Sequence, residues 1–312
     1  IVACNVAHEM LVRQQAADAF PGKLSLLLEP ESRGTAPALC AAALLAERLT
    51  GPDTALLALP ADHIISGDPA FSEAIDSAAE LANAEYLVTF AIKPNQAVTG
   101  FGYLKLGETL DPAKRQFKVE AFIEKPDAER AKQFLAGGGY AWNSGIFMFK
   151  AGILIEAFER FQPEILAACR EALPKSALKP SVRLDRQAFA AAPSTSIDYA
   201  IMEKADNIAA VIGDFAWSDV GDWNSVWLEA KKDDKGAAPR GNVLAIDCTG
   251  SLIRSDGPML VGVGLEDMIV VATKHAILVA PRSRAQDVSQ AVDQLAARGR
   301  SIANEDDSEI SF

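Results

Sequence analysis

The stretch FIEKPDAERAKQFLAGGGYAWNSGIF, residues 122–147, decides how this chain is read. An apolar run ends at Glu124 and Lys125, where Pro126 stops the strand because it has no N–H for a ladder. A short helix is predicted at 128–136, with Asp127 in the capping position and Gly137 where a C′ glycine belongs. Trp142-Asn143-Ser144-Gly145 then leads into a second apolar run at 145–149. A carboxylate, an ammonium and a carboxamide are thus presented near two strand ends. That set suits hydroxyls and a phosphate, and so a sugar phosphate. Polar side chains at strand ends are also ordinary turn chemistry, so the rest of the chain decides.

Working outward, short apolar strands are predicted at 1–4, 24–28, 55–59, 86–92, 102–106, 119–123, 145–149 and 208–212. They alternate with helices at 8–19, 37–49, 71–83, 128–136, 152–161, 164–173, 197–203 and 222–231. The alternation predicts an α/β fold, a Rossmann-like, mostly parallel sheet flanked by helices. Residues 55–59, ALLAL, are apolar on both faces, as a central strand requires. Thr35 and Ser196 stand in capping positions before two of the helices.

The texture changes at Lys231-Lys232-Asp233-Asp234-Lys235-Gly236. Beyond this charged linker only short β pieces follow, separated by Gly, Asp or Pro, which predicts a small β-helix-like unit. The expected division is 1–232 for the α/β domain, 236–282 for the β-helix unit, 283–299 for a last helix and 300–312 for a disordered acidic tail.

The chain has 312 residues and a net charge of -12, which opposes a nucleic-acid footprint or binding to an acidic membrane. Small anionic substrates remain compatible, because a few cations or a metal reverse the local field. Four cysteines without C-x-x-C spacing argue against a zinc site or disulfide framework and suit a reducing, cytoplasmic setting. The longest apolar stretch, 36–46, is too short to span a bilayer, and no signal peptide is read. The chain opens directly on a strand without Met, which reads as a truncated sequence or one with a further N-terminal segment.

Several residues carry candidate chemistry. Asp62, in LALPADHII, follows a strand and reads either as a magnesium ligand or as a turn residue. Asp219, in AWSDVGD, also follows a β segment; Asp222 is the better helix cap, which leaves Asp219 for another task. Two such carboxylates from distant sequence are suited to share one metal ion. Residues 31–38, ESRGTAPA, join a strand to a helix, where Gly34 allows close backbone approach to a ligand and the helix offers free N–H groups. A plain connector is the equal alternative, and no Walker A lysine follows. Thr99-Gly100-Phe101-Gly102-Tyr103 reads as a surface for a flat sugar or as a bulge. Tyr199 and Glu203 share a helix face. No Ser–His–Asp set, nucleophilic cysteine or clear general base stands out. That absence fits a reaction whose attacking group is a phosphate, already largely dianionic with a second pKa of about 6.

Taken together, ESRGTAPA, LPADHII, TGFGYL, FIEKP, WNSGIF, SIDYAIMEK and WSDVGDW resemble, in order and spacing, the bacterial mannose-1-phosphate guanylyltransferases. These are also called GDP-mannose pyrophosphorylases and lie within the sugar-phosphate nucleotidyltransferases. The resemblance runs from residue 1 to about 299. It implies transfer of GMP from GTP to mannose 1-phosphate, assisted by Mg2+, on the fold of the nucleotide-diphospho-sugar transferases. It implies that Asp62 and Asp219 hold the metal and, with Lys125, serve catalysis. Gly102, Glu124, Lys125, Asn143, Gly145 and Tyr199 would bind the sugar phosphate. Arg33, Thr35, Ala36, Pro37 and Ala61 would bind the nucleotide. A left-handed β-helix contributing to a homodimer is implied as well.

Two positions depart from the pattern, Gly34 where relatives carry Asn and His275 where they carry Asp. The family's glycine-rich signature, with its Arg and Lys for the GTP phosphates, is expected upstream of Ile1 and is not in this sequence; the chain as given is therefore expected to be poorly active. The alternatives are a related transferase with another sugar or nucleotide, and a catalytically silent sugar-phosphate-binding or regulatory protein.

Overall fold

The computed structural model describes residues 1–19, 24–175 and 180–298. The expected acidic tail at 300–312 lies outside the described residues. In chain order the strands are β1 (Val2–Asn5), β2 (Leu26–Glu29), β3 (Ala55–Ala58), β4 (Ile64–Ser66), β5 (Leu87–Ile92), β6 (Tyr103–Asp111), β7 (Gln116–Ile123), β8 (Tyr140–Lys150), β9 (Ser181–Arg183), β10 (Ile208–Ile212), β11 (Ala216–Ser218), β12 (Ala238–Ile246), β13 (Leu252–Val263), β14 (Met268–Ala272) and β15 (Ile277–Pro281). The α-helices are α1 (Glu9–Ala19), α2 (Thr35–Thr50), α3 (Asp68–Asn83), α4 (Ala128–Gly137), α5 (Ala151–Phe161), α6 (Pro163–Ala172), α7 (Arg186–Ala190), α8 (Trp223–Glu229) and α9 (Val288–Ala297). The chain divides into two compact units, Ile1–Ala61 with Ile65–Trp217, and Asp62–Ile64 with the residues from Ser218 onward.

The first unit is α/β, with helices on both faces of its main sheet. Strands β1, β2 and β9 form a parallel three-stranded sheet. The larger sheet has the order β3-β8-β5-β10-β7-β6. Four of its strands (β3, β5, β10 and β6) share one direction, while β8 and β7 run against them. The common direction is that of the expected parallel sheet. The hydrogen-bonded neighbours are nonetheless mostly antiparallel, because β8 inserts between β3 and β5, and β7 between β10 and β6.

Alternation along three central strands explains the layering. Leu87 and Ala91 of β5, Phe147 and Phe149 of β8, and Ile208 and Ala210 of β10 pack against α2, α5 and α6. The intervening Val88, Phe90, Ile146, Met148, Ala209 and Val211 pack against Ala74, Ala78, Leu81 and Ala82 of α3. A strand has period two, so a strand buried on both faces is apolar throughout. Helix α2 is rich in Ala and Leu, which favour helix and allow its close seating in this core.

Four local expectations need correction. Residues 55–59, expected as a central strand, supply β3 at the edge of the larger sheet, paired only with β8 among the described residues and partly exposed. The run expected to begin at 145 is the second half of the 11-residue strand β8, which continues through Asn143. Its register against β5 shifts between Thr89 and Ala91, where Gly145 adopts φ 73. This bulge keeps the strand paired while turning Asn143 out of the regular pleat. Thr35 is not the cap of α2: Gly34 precedes the helix, and the Thr35 hydroxyl accepts from Ile197 instead. Gly138, with φ 68, ends α4, not Gly137. Asp127 and Asp222 do cap α4 and α8, accepting from Arg130 N at 2.8 Å and Ser225 N at 2.7 Å.

The second unit is a small β-helix-like body. Strands β12, β13 and β14 pair in parallel, and β15 closes the sheet antiparallel to β14. Ala238, Leu252, Ile269 and Val271 pack on Trp223, Val226 and Trp227 of α8. The opposite core contains Cys248, Ile253 and Val270, with Val243, Ala245 and Leu260 around it. The Arg282 guanidinium stacks 3.4 Å from the Trp227 ring centroid and donates to Asp267 Oδ1 at 2.7 Å. All four cysteines are free thiols, and no described helix is long and apolar enough to cross a membrane.

Candidate active site

In the first unit, the ends of β7 and β6 and the bulge of β8 meet. Strand β7 ends at Ile123, and Glu124 and Lys125 follow it. Lys125 has φ 45, a left-handed conformation that is uncommon for a residue with a side chain and clusters at functional sites. Gly102 precedes β6, and its carbonyl accepts from Asn143 N at 2.8 Å. The same glycine lies directly beside the Glu124 carboxylate and Asn143 Cβ. The structure therefore brings Gly102, Glu124 and Asn143 together, with Gly145 in the bulge.

A third segment completes the cluster. The helix expected at 197–203 is a single π turn, Asp198–Met202, with Glu203 N donating to Asp198 O at 2.9 Å. Wider winding of this kind is frequent at functional sites. Ala200, Ile201 and Met202 are buried, while Tyr199 is 46 % exposed. Asp198 accepts from Asn143 Nδ2 at 3.1 Å, and Glu203 Oε1 accepts from Glu124 N at 3.0 Å.

The electrostatics follow from this crowding. Burial pushes the Glu124 carboxyl up to about 7; the charges of Asp198 and Glu203 act the same way, and Lys125 opposes them. Burial also raises Asp198, against hydrogen bonds from its own backbone, Ser196 and Asn143 and the charge of Lys125. The Tyr199 phenol is raised by desolvation and by Glu124, Glu203 and Asp198. Three carboxylates around one lysine favour the hydroxyls of a sugar and leave Lys125 as the cation for an anionic group.

The strand–helix connector is tied to the segment before the π turn. Thr195 N donates to Arg33 O and Ala36 N to Thr195 O, each at 3.1 Å, and Ile197 N donates to Thr35 Oγ1 at 2.9 Å. A Cβ on Gly34, whose φ is 79, would stand 2.5 Å from Thr195 O. The backbone that approaches Gly34 is thus the chain's own, not a ligand's, and the Ala36 N–H in the first turn of α2 is already used. Ala36 and Pro37 are buried, whereas Gly34, Thr35 and Ala61 are exposed. Arg33 pairs with Glu31 at 2.5 Å, and its Nε is buried without a partner among the described residues.

In the second unit, Asp62 is exposed and His63 is half-buried. Burial holds the His63 imidazole below its usual range, while the charges of Asp62 and Asp219 act in the opposite sense. Asp219 is raised by burial, against the Gly221 N–H bond and the charge of His63. Between Asp219 and Gly221, Val220 adopts φ 45, an outlier for a β-branched residue. Among the described residues no three His, Cys, Asp or Glu side chains converge as a metal cage.

Two residues of the cluster escape a reading of the sequence. Asp198 lies within a segment that reads as a plain helix, and only the π turn aims it at Asn143. Thr89 is the lone hydroxyl in the buried strand LVTFAI, the one signal that could have exposed it.

Residues 1–236 match the family described as nucleotidyl transferase. The chain belongs to this family. Residues 241–295 match the MannoseP isomerase/GMP-like beta-helix domain, consistent with the parallel coils of the second unit. A mannose-1-phosphate guanylyltransferase from Klebsiella pneumoniae is 40% identical over 303 residues, covering 96% of this chain and 64% of the relative. The chain thus spans somewhat less than two thirds of the curated relatives it matches. Among solved structures, one from Thermus thermophilus, described as a mannose-1-phosphate geranyltransferase, is similar with a TM-score of 0.79 and 29% identity; the match covers 94% of this chain and 83% of that one. A second, described as a mannose-6-phosphate isomerase from Helicobacter pylori, has a TM-score of 0.62 and 30% identity over 69% of this chain and 82% of its own.

Proposed function

We propose that the protein transfers GMP from GTP to mannose 1-phosphate, giving GDP-mannose and pyrophosphate. The observation that carries this reading is the meeting of Glu124, Lys125 and Asn143 at Gly102, in a chain whose relatives include mannose-1-phosphate guanylyltransferases. Glu124 and Asn143 hold sugar hydroxyls, the missing Cβ of Gly102 leaves room for the Glu124 carboxylate beside Asn143, and Lys125 draws in the phosphate. Tyr199 and Gly145 border the same cluster. Arg33, Thr35 and Ala61 face the nucleotide, with Ala36 and Pro37 anchoring their turn in the core. The unpartnered Arg33 Nε supports that assignment, because a buried donor without an acceptor is unfavourable until a ligand supplies one.

In the reaction an oxygen of the sugar phosphate attacks the α-phosphorus of GTP in line, and pyrophosphate leaves with the electrons of the broken P–O bond. The attacking oxygen is already ionised, so no protein base is required, and the chain's part is alignment and charge placement. Asp62 and Asp219 are the residues to hold a magnesium ion. Both carboxylates act on the charge of His63, and a pair of carboxylates suits a hard cation that keeps waters and binds substrate phosphates. When bound, it supplies neutralisation of phosphate charge.

The protein acts as a cytoplasmic homodimer in this reading. Support for the dimer comes from one face of the second unit, where Leu244 pairs with Val261 and Ile246 with Val263, and all four are exposed beside Met259. A contiguous apolar sheet face of this kind is unusual on a monomer.

The test is to incubate the full-length protein with GTP, mannose 1-phosphate and Mg2+, and to measure GDP-mannose and pyrophosphate. Equal yields of both products, lost in Asp219→Ala, are expected. Preference for another nucleotide or sugar phosphate, interconversion of mannose 6-phosphate and fructose 6-phosphate, or binding of mannose 1-phosphate without any turnover would overturn the proposal.

A further inference from the structure

We infer that Thr89 and Asp198 are positioning residues that fix the Asn143 carboxamide as a pure hydrogen-bond donor toward the sugar phosphate. The inference rests on the sugar-phosphate site proposed above and deepens it.

Every bonding position of that carboxamide but one is accounted for. Its carbonyl oxygen accepts from the Thr89 hydroxyl at 2.7 Å and from Gly145 N at 3.2 Å. Its nitrogen donates one proton to Asp198 Oδ1 at 3.1 Å. A carboxamide has two acceptor sites and two N–H donors. Both acceptor sites are filled, one donor is used, and a single N–H remains. The end-for-end flip of the amide is closed off, because it would set the nitrogen against the Gly145 N–H donor and the oxygen against the Asp198 carboxylate. Asn143 is therefore built to give a proton to an acceptor, such as a phosphate oxygen or the lone pair of a sugar hydroxyl.

The geometry behind this is specific to the fold. Thr89 is fully buried, and its hydroxyl also lies 3.4 Å from Ile146 O. It stands at the step where the β5–β8 register shifts, so the bulge that turns Asn143 out of the pleat also carries the amide back over Thr89. Asp198 arrives from the π turn, and its segment is pinned by the Ile197–Thr35 bond. The amide is thus gripped by a central strand on one side and by the segment tied to the nucleotide loop on the other.

The experiment uses the whole protein and five variants: Asn143→Ala, Thr89→Val, Thr89→Ser, Asp198→Ala and the double variant Thr89→Val with Asn143→Ala. In the ligand-free protein, the side-chain NH2 signals of Asn143, identified by their loss in Asn143→Ala, are expected to be well separated and slow to exchange. Thr89→Val and Asp198→Ala should collapse that separation, and Thr89→Ser should restore it. Titration with mannose 1-phosphate should show affinity about tenfold weaker in Thr89→Val, near wild type in Thr89→Ser, and no weaker in Thr89→Val with Asn143→Ala than in Asn143→Ala alone. An unchanged amide pair in Thr89→Val, or unchanged affinity there while Asn143→Ala weakens binding, overturns the inference and leaves the proposed function standing. If Asn143→Ala binds mannose 1-phosphate as the wild type does, the sugar-site reading fails, and the amide signals alone decide whether Thr89 and Asp198 position Asn143.

Discussion

Gly102 lies so close to Glu124 that a Cβ added to it would stand 2.5 Å from Glu124 Oε2, and 3.3 Å from Asn143 Cβ. The clash is with the end of a flexible side chain, so Gly102→Ala is expected to fold with the carboxylate displaced. Its unfolding midpoint should stay close to wild type, while affinity for mannose 1-phosphate falls about tenfold. Calorimetric titration beside a thermal melt separates the two. A large drop in midpoint with intact binding would show that the glycine serves packing alone.

Glu124 should make stability depend on pH. Its carboxyl is pushed up to about 7 by burial and by Asp198 and Glu203, with Lys125 opposing and the Tyr199 phenol nearby. A folded value raised above the unfolded one means stability that is fully present below about 4.5 and is lost as pH rises through about 7. Glu124→Gln removes that contribution. The variant's melting midpoint, relative to wild type, should therefore climb between these limits and level off above them. A constant difference across the range would contradict the placement of this carboxyl.

The Thr35–Ile197 bond should stabilise the connector. Thr35→Val keeps the shape but leaves the Ile197 N–H without its acceptor, which costs about 1–3 kcal/mol if that group stays dry. Faster amide exchange at Ile197, and a lower denaturation midpoint with an unchanged slope, are the expected readouts. Protection equal to wild type would mean that the staple is dispensable.

Association should depend on the apolar strand face. Val261, opposite Leu244 in the parallel pair, is 55% exposed. Val261→Asp places a charge there and is expected to shift the protein to monomer in sedimentation equilibrium without lowering its melting temperature at high dilution. Unchanged mass would remove this face from the interface.

The legibility of the chain divides along physical lines. The caps at Asp127 and Asp222 are readable because each bonds an amide three residues away. The buried strands β5 and β10 are readable from their almost wholly apolar runs. Residues 55–59 are as apolar, yet β3 lies at the sheet edge and is only partly buried, because strand order is not a local property. Thr35 reads wrongly as a cap because its partner lies 162 residues away. Gly34 reads as room for a ligand, yet Thr195 fills it, a contact equally remote in sequence. The Glu124-Lys125 and Asn143 pieces stand out as polar breaks in apolar runs, while Asp198 and Thr89 sit inside segments whose periodicity looks regular.

The sequence by itself determined the class of fold, the family and the residue types near the candidate site, because hydrophobic period, punctuation and short motifs are local properties. Only the tertiary structure decided how those residues act. The antiparallel insertion of β8, its bulge at Gly145 and the π turn at Asp198 arise from hydrogen bonds between distant segments. Those bonds give the Asn143 amide one orientation and set Glu124 among other carboxylates, where burial raises it.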